Sequence, residues 1–337
     1  MAKMEIALDL GTAYTSIFVA GNGIVLHEPS VIAYFEDGSK RHTRAVGSEA
    51  YNMMGRAPEK TKTVCPIADG VIKDTEACTD MLTEFIGKIL PESYLIKPRI
   101  SCVLGVPTGI TVEGREAYEQ VLMRAGIDDI TMVNSIMLEA IGVDMPVQST
   151  FGGIVVSIGA GSTEIAVLSL CGIVRGWSLT IGGDMIDRAL MDAISGIYEL
   201  NIGRATARVV KEKICSLIRN DCAAMNISGI DIQSKTIRTQ AVSADKLYNA
   251  IYDYYMNIVD AVASVINTCS PSIAAEIQRY GIVVAGGGAK MPGLAQLMRN
   301  VLKLDVRVPG EACHANILGG GRLLSDPDLL NDILAHV

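Results

Sequence analysis

The chain has 337 residues, more than one ordinary core accommodates, so two large lobes or one split body are expected. With 49% hydrophobic and 20% charged residues it is globular, which excludes a disordered chain. A formal charge of −8 and the absence of any dense Lys/Arg block exclude a general attraction to nucleic acid.

The first residues run straight into a strand, without the charged stretch and long apolar run of a signal peptide. No run of about 18 apolar residues occurs, so no membrane span is expected and the expected compartment is the cytoplasm. Met4 to Leu10, Thr15 to Ala20 and Ile24 to Tyr34 read as an antiparallel meander, the last strand following the Gly21-Asn22-Gly23 turn. Residues 36–68 are more polar and look like a small insertion. Glu76 to Leu90 has helical spacing, with Met81, Leu82, Phe85, Ile86 and Ile89 on one side. Ile100 to Val106 is a buried strand, Val112 to Ala125 a helix and Ile130 to Val133 a short strand. Ser135 to Val143 reads as a helix under the turns described next.

The second half restarts the same programme. Gly153 to Ser157, Ile165 to Leu170 and Gly172 to Leu179 form a second meander, followed by a helix from Met185 to Ile197. Residues 205–245 look like a second insertion, and Ala244 to Ser270 a long amphipathic helix. Ile282 to Ala285 is a strand ending in three glycines, and Met291 to Leu302 a helix. The repeat is one of architecture rather than of close sequence identity. The eight cysteines show no C-x-x-C spacing and read as reduced thiols, with Cys102 and Cys171 in apolar runs. The four histidines lack metal-ligand spacing, so no structural metal is expected.

Two segments carry the chemistry. Asp9-Leu10-Gly11-Thr12-Ala13 and Ser157-Ile158-Gly159-Ala160-Gly161-Ser162-Thr163 are strand ends running into small-residue turns with hydroxyls. Such turns expose backbone N–H groups that hold phosphate, and Asp9 is placed to hold the water shell of Mg²⁺. Gly286, Gly287 and Gly288 forgo side-chain burial, which a closely approaching adenine or ribose ring would explain; a tight strand-to-helix turn is the alternative.

These motifs, with Asp69-Gly70-Val71-Ile72, Lys97-Pro98-Arg99, Gly105-Val106-Pro107, Gly109-Ile110-Thr111, Glu164 and Gly182-Gly183-Asp184-Met185-Ile186-Asp187, make the chain resemble the actin superfamily and, within it, the MreB branch. The resemblance implies an α/β actin-like ATPase fold: two lobes, each with a mixed five-stranded sheet core and helices, in four subdomains. The implied boundaries are 1–35 with 69–145 and 320–337 for subdomain IA, and 36–68 for IB. Residues 146–181 with 246–319 would form IIA, and 182–245 IIB. It implies ATP and Mg²⁺ as cofactors, held by Asp9, Gly11, Thr12, Ala13, Tyr14, Gly159, Ala160, Gly161, Ser162, Thr163, Gly183, Asp184, Lys211, Glu212, Gly286, Gly287 and Gly288.

It further implies self-association into filaments at the inner membrane surface, with a role in cell shape. Copolymerisation with a related bacterial actin stays open. Tyr94, Leu95 and Ile96, followed by Lys97 and Arg99, suit an interfacial membrane anchor; the start of a buried strand is the competing reading.

Three departures from the MreB pattern stand out. Ser157 replaces an acidic residue that serves the metal, and Ser135 replaces the glutamate that orients the attacking water. Lys213 aligns with a ribose-side glutamate, although Glu212 is adjacent. Losing such groups implies hydrolysis slowed by about 10² or more. Glu139, one helical turn beyond Ser135, is the candidate substitute. A DnaK-like or reactivase-type nucleotide-binding protein and a small-molecule kinase of the same superfamily are the alternatives.

Overall fold

The computed structural model describes residues 3–37, 40–90, 98–151 and 153–336. In the first lobe β1 (Lys3–Leu10), β2 (Tyr14–Val19) and β3 (Gly23–Pro29) form the expected meander. A three-stranded sheet of β4 (Ile32–Asp37), β5 (Lys40–Val46) and β6 (Thr61–Val64) follows, with α1 (Ser48–Met53) before its last strand. A short ribbon of β7 (Ile67–Ala68) and β8 (Val71–Ile72) leads into α2 (Thr75–Ile89). Then β9 (Arg99–Val106), α3 (Val112–Arg124) and β10 (Asp129–Asn134) complete a five-stranded sheet in the order β10-β9-β1-β2-β3.

Helix α4 (Ser135–Gly142) carries the chain into the second lobe, where β11 (Gly153–Ile158), β12 (Thr163–Ser169) and β13 (Gly172–Leu179) repeat the meander. A second small unit contains α5 (Gly183–Tyr198), β14 (Leu200–Asn201), α6 (Arg204–Lys213), β15 (Ala224–Asp231) and β16 (Ile237–Ser243). Then α7 (Ala244–Asn267), α8 (Pro271–Tyr280), β17 (Ile282–Ala285), α9 (Leu294–Leu302) and β18 (Val306–Arg307) close a sheet ordered β13-β12-β11-β17-β18. The chain ends with α10 (Ala315–Ser325), which packs on the first sheet, and α11 (Pro327–Leu334).

The two large sheets share one topology: β1 pairs parallel with β9 and antiparallel with β2, just as β11 pairs with β17 and β12. The expected actin-like architecture of two mixed five-stranded sheets is therefore present. Central β11 is buried along its whole length, as a strand covered on both faces must be. Helix α7 buries Leu247, Ile251, Tyr255, Ile258, Val262 and Val265, a stripe at three- and four-residue spacing. Asp74 and Ser270 cap α2 and α8 by accepting from Ala77 N–H and Ile273 N–H, which satisfies one orphan donor of each helix.

The single strand expected over residues 24–34 is broken. Pro29 ends β3, and Ser30 turns away to donate from its N–H to the Ala13 carbonyl and from its hydroxyl to the Gly11 carbonyl. Pairing of the strand is given up to brace the first turn. Helices α8, α10 and α11 add to the elements expected from the sequence.

A core of its own fills each lobe, and a third cluster joins them. Val103 and Val133 from the first sheet and Val155, Ala166 and Val283 from the second pack on Ile136, Met137 and Ile141 of α4. Each such side chain contributes roughly 1.5–3 kcal/mol of burial. Helices α4 and α10 cross at backbone contact. A Cβ on Gly142 would lie 1.8 Å from the Ala315 carbonyl oxygen, and one on Gly319 would lie 1.8 Å from that of Leu138.

Gly319→Ala is accordingly expected to cost roughly 1–3 kcal/mol or more, read as a lower urea midpoint. Gly196→Ala in α5, where a Cβ meets nothing within 4 Å, should stabilise by about 0.5–1 kcal/mol, read as a higher midpoint. An unchanged midpoint for Gly319→Ala would contradict the close crossing.

Candidate functional site

The two turns face each other across a cavity of about 620 Å³ between the lobes, a volume within the usual range for small-molecule sites. Gly11 N–H donates to the Tyr14 carbonyl and Gly159 N–H to the Ser162 carbonyl, so both turns close in the same way. Among the described residues, the N–H groups of Thr12, Ala13, Ala160, Gly161 and Ser162 have no backbone acceptor. Five unpaired donors on two facing turns form a cradle for an anion.

The turns also touch. A Cβ on Gly161 would lie 2.5 Å from Thr12 Oγ1 and 2.4 Å from the Gly70 nitrogen, so only glycine fits. Gly70 N–H donates to Thr12 Oγ1 at 3.1 Å, which fixes that hydroxyl as an acceptor on one side and leaves its proton for a ligand. Behind the first turn, buried Thr15 and Ser30 hydroxyls pair at 2.9 Å.

Asp9, Gly11, Thr12, Ala13, Tyr14, Gly159, Ala160, Gly161, Ser162, Gly183, Lys211, Glu212, Gly286, Gly287 and Gly288 line the cavity, as do Ser135, Glu139 and Ser157. Two expected residues do not. Thr163 is fully buried and donates its hydroxyl to the Ile181 carbonyl. Asp184 is held by Arg204 and Arg208, while its N–H donates to the Ala160 carbonyl. Both brace the second turn from behind. On α6, Glu212 reaches the wall, alongside Arg208 and Lys211, and Lys213 does not, so of the adjacent pair 212 and 213 the acid is the one that faces the cavity. Lys211 Nζ donates to the Gly183 carbonyl at 2.8 Å and pairs with Asp187 at 2.7 Å, which ties α6 to the start of α5.

The triple glycine has a mixed cause. Gly286 has φ 79° and, with Gly288, packs so close to Ile158 that a Cβ would stand 2.5 Å or less from it. Only Gly287 has open space, and it alone leaves room for a ring to approach. Tyr94, Leu95 and Ile96 lie outside the described residues.

Several wall residues belong to no motif in the sequence. Tyr14 stacks on His27 at 4.6 Å, and His27 meets His314 edge-on at 5.0 Å. Arg208, Lys290 and Asn316 also line the cavity. The most consequential wall residue outside the expected set is Glu164, whose carboxylate accepts from Thr108 N–H at 3.0 Å. Strand register holds the signal: Asp9 stands opposite Ser16 in the first hairpin, and Ser157 stands opposite Glu164 in the second. The acid and the serine have exchanged strands.

Three carboxyls, Asp9, Glu139 and Glu164, thus line the cavity, without forming a cluster of three direct metal ligands among the described residues. Burial pushes Asp9 up to about 7 and Glu139 up to about 8, with the Glu164 and Asp9 charges adding to the rise at Glu139 and the Ser157 hydrogen bond opposing it. Burial also raises Glu164, against the hydrogen bonds from Thr108. Ser157 Oγ donates to Glu139 Oε1 at 2.7 Å, and Glu139 Oε2 is buried with no partner. Unpaired N–H groups above an acidic floor with an orphaned oxygen fit a phosphate group that arrives with a cation.

Two lobes of matching topology around such a cavity define an actin-like protein with a cleft suited to an anionic ligand. The chain belongs to the MreB/Mbl family, whose model, MreB/Mbl protein, matches residues 3–332. It is 34% identical over 332 residues to the cell shape-determining protein MreB of Escherichia coli K12, covering 98% of this chain and 95% of that protein. It is also 34% identical to the cell shape-determining protein Mbl of Bacillus subtilis, covering 98% of each. MreB5 of Spiroplasma citri bound to ADP superposes with a TM-score of 0.90 at 28% identity, over 98% of both chains. Its AMPPNP-bound form gives 0.89 over 99% of both.

The raised carboxyls set a pH dependence. A carboxyl whose folded value lies above its unfolded value binds its proton more tightly in the fold. The resulting stability is complete below the unfolded value and lost as pH rises through the folded one. For Glu139 that window runs from about 4.5 to about 8. The ligand-free protein should therefore melt at a lower temperature at pH 8.5 than at pH 5, and Glu139→Gln should flatten part of the fall. A wild-type midpoint that rises across this window would contradict the buried acidic floor.

Proposed function

We propose that this protein binds ATP between its lobes, polymerises into filaments and takes part in setting cell shape, with slow ATP hydrolysis. The observation that carries the reading is the set of five unpaired N–H groups on two touching turns. Those turns come from different lobes, so a triphosphate held by both would fix the angle between the lobes. Subunits that stack end on end require one defined angle. The nucleotide-bound MreB5 neighbour and the cell shape-determining relatives support the same reading. Family membership favours it over a DnaK-like protein or a small-molecule kinase. The four subdomains would follow the boundaries expected from the sequence.

In the bound state Asp9 would hold Mg²⁺ through water, and the cation would neutralise phosphate charge. The cradle N–H groups and the Thr12 and Ser162 hydroxyls would donate to phosphate oxygens. Glu212, Gly287 and the Lys290 region would enclose the nucleoside. Turnover is a separate matter, because Ser135 at the start of α4 offers a hydroxyl where the MreB pattern has the glutamate that orients the attacking water.

Association with the inner membrane surface through Tyr94, Leu95 and Ile96 is part of the proposal, supported by the apolar triplet beside Lys97 and Arg99. No helix of the described residues is long and apolar enough to cross a membrane.

With Mg²⁺-ATP the protein is expected to sediment above a critical concentration and to float with anionic vesicles. Leu95→Ser with Ile96→Ser should abolish flotation and keep sedimentation. A chain that stays monomeric at tens of micromolar would sink the filament reading, and unchanged flotation of the double variant would sink the anchor. Ser135→Glu should raise phosphate release from filaments by about tenfold or more; no gain would mean that water positioning is not the limiting defect.

A further inference from the structure

Glu139 has no structural reason to be where it is. It sits in the middle of α4, and every one of Ile136 to Gly142 is buried. It is 8% exposed, so it is more than nine-tenths buried, and its long ionisable side chain occupies a helix packed between the lobes. Burying a carboxylate with one oxygen unpartnered is costly unless something at the site compensates. No Lys or Arg pairs with it among the described residues. Its one hydrogen bond comes from Ser157 Oγ at 2.7 Å, and that bond fixes the orientation of the carboxylate. Oε1 is turned to the end of β11, and Oε2 is buried without a partner in a residue that lines the cavity and feels the charges of Glu164 and Asp9.

The serine explains the glutamate, and the glutamate explains the serine. In the first lobe the strand that feeds the phosphate turn carries its own carboxylate, Asp9, two residues before Gly11. In the second lobe the equivalent position, two residues before Gly159, is Ser157. A hydroxyl there holds no cation by itself, but it can hold a carboxylate that does. Glu139 reaches it from the neighbouring helix.

Resting on the nucleotide-binding reading above, we propose that Glu139, oriented by Ser157, is the second carboxylate of a divalent-cation site shared with Asp9. The carboxylate that the end of β11 lacks is supplied from α4, while Glu164 on β12 is engaged by Thr108 N–H. The ligand class is a hydrated divalent cation of Mg²⁺ type that arrives with the nucleotide, and the orphaned Glu139 Oε2 is the acceptor offered to its water shell. Ser157 is a positioning residue here, because it acts only through Glu139. Two properties that look alike in the sequence thereby come apart. Cation holding is retained by relocation, while water positioning at Ser135 is not replaced.

The experiment is calorimetric titration of the full chain with AMPPNP, first in EDTA and then at stepped Mg²⁺ concentrations, so that no turnover enters the readout. Wild type should bind AMPPNP weakly in EDTA and more tightly as Mg²⁺ rises. Glu139→Gln, which keeps the shape and the Ser157 contact, removes an acid from beside the phosphates, so it should bind AMPPNP in EDTA at least as tightly as wild type and lose about tenfold or more in apparent Mg²⁺ affinity. Returning the acid to the strand, with Glu139→Ala and Ser157→Asp together, should restore the Mg²⁺ dependence. This second variant also guards against a misfolded first one.

Equal Mg²⁺ dependence in wild type and Glu139→Gln would overturn the proposal, as would failure of the relocated acid to restore it in a protein that still binds AMPPNP in EDTA. If wild type binds no AMPPNP under any condition, the nucleotide reading itself fails, which is a different result.

Discussion

The backbone contact between α4 and α10 constrains the rest of the molecule. Gly142 and Gly319 let two helices approach until each would strike the other's carbonyl if it carried a Cβ. Helix α4 links the two lobes, and α10 leaves the second lobe and packs on the first. Their crossing therefore fixes where each sheet stands. It also fixes the cavity, because Ser135 and Glu139 project from α4, while His314 and Asn316 sit at the head of α10. Gly320 and Gly321 extend the contact, packing against Ala7 and the Phe18 ring in β1 and β2. A rigid crossing beside two touching turns suits a hinge that resists shear and still allows the lobes to open and close.

What the cleft can do follows from the distribution of its polar groups. Donors come from backbone, which no substitution removes, and acceptors come from side chains, which evolve. Phosphate binding would thus rest on the part of the site least sensitive to sequence. Cation holding and water positioning would rest on Asp9, which matches the MreB pattern, and on Glu139, Ser157 and Ser135, where the chain departs from it. On the proposed function, binding and turnover are separable: the groups that would hold phosphate are kept, and those that would position water are changed.

Much of the fold and the cleft is legible in the amino-acid sequence, and the reasons for the rest are physical. Apolar and β-branched runs locate the strands of both meanders to within a residue or two, except the one expected over residues 24–34, which breaks at Pro29. The turns are readable because glycine and hydroxyls at a strand end have few other uses. The chain carries two triple glycines, however, and composition does not distinguish them. Gly286 to Gly288 end a strand, whereas Gly319 to Gly321 lie inside α10, where helix propensity argues against them and a tight tertiary crossing overrides it. Ser30 reads as strand because its bracing role depends on a turn nineteen residues earlier. Thr163 and Asp184 read as site residues because motif membership does not reveal which side of a turn a side chain faces. Glu164 does not read as a wall residue, although its position opposite Ser157 follows from the hairpin register.

The central claim is that turns from both lobes hold one nucleotide at the same time. Hydrogen exchange with and without Mg²⁺-AMPPNP tests it most directly. Slowing of the amides at 11–13, 159–162 and 286–288 together, with a single nucleotide-concentration dependence, is the predicted result. Protection of only one turn, or of neither, would contradict the account.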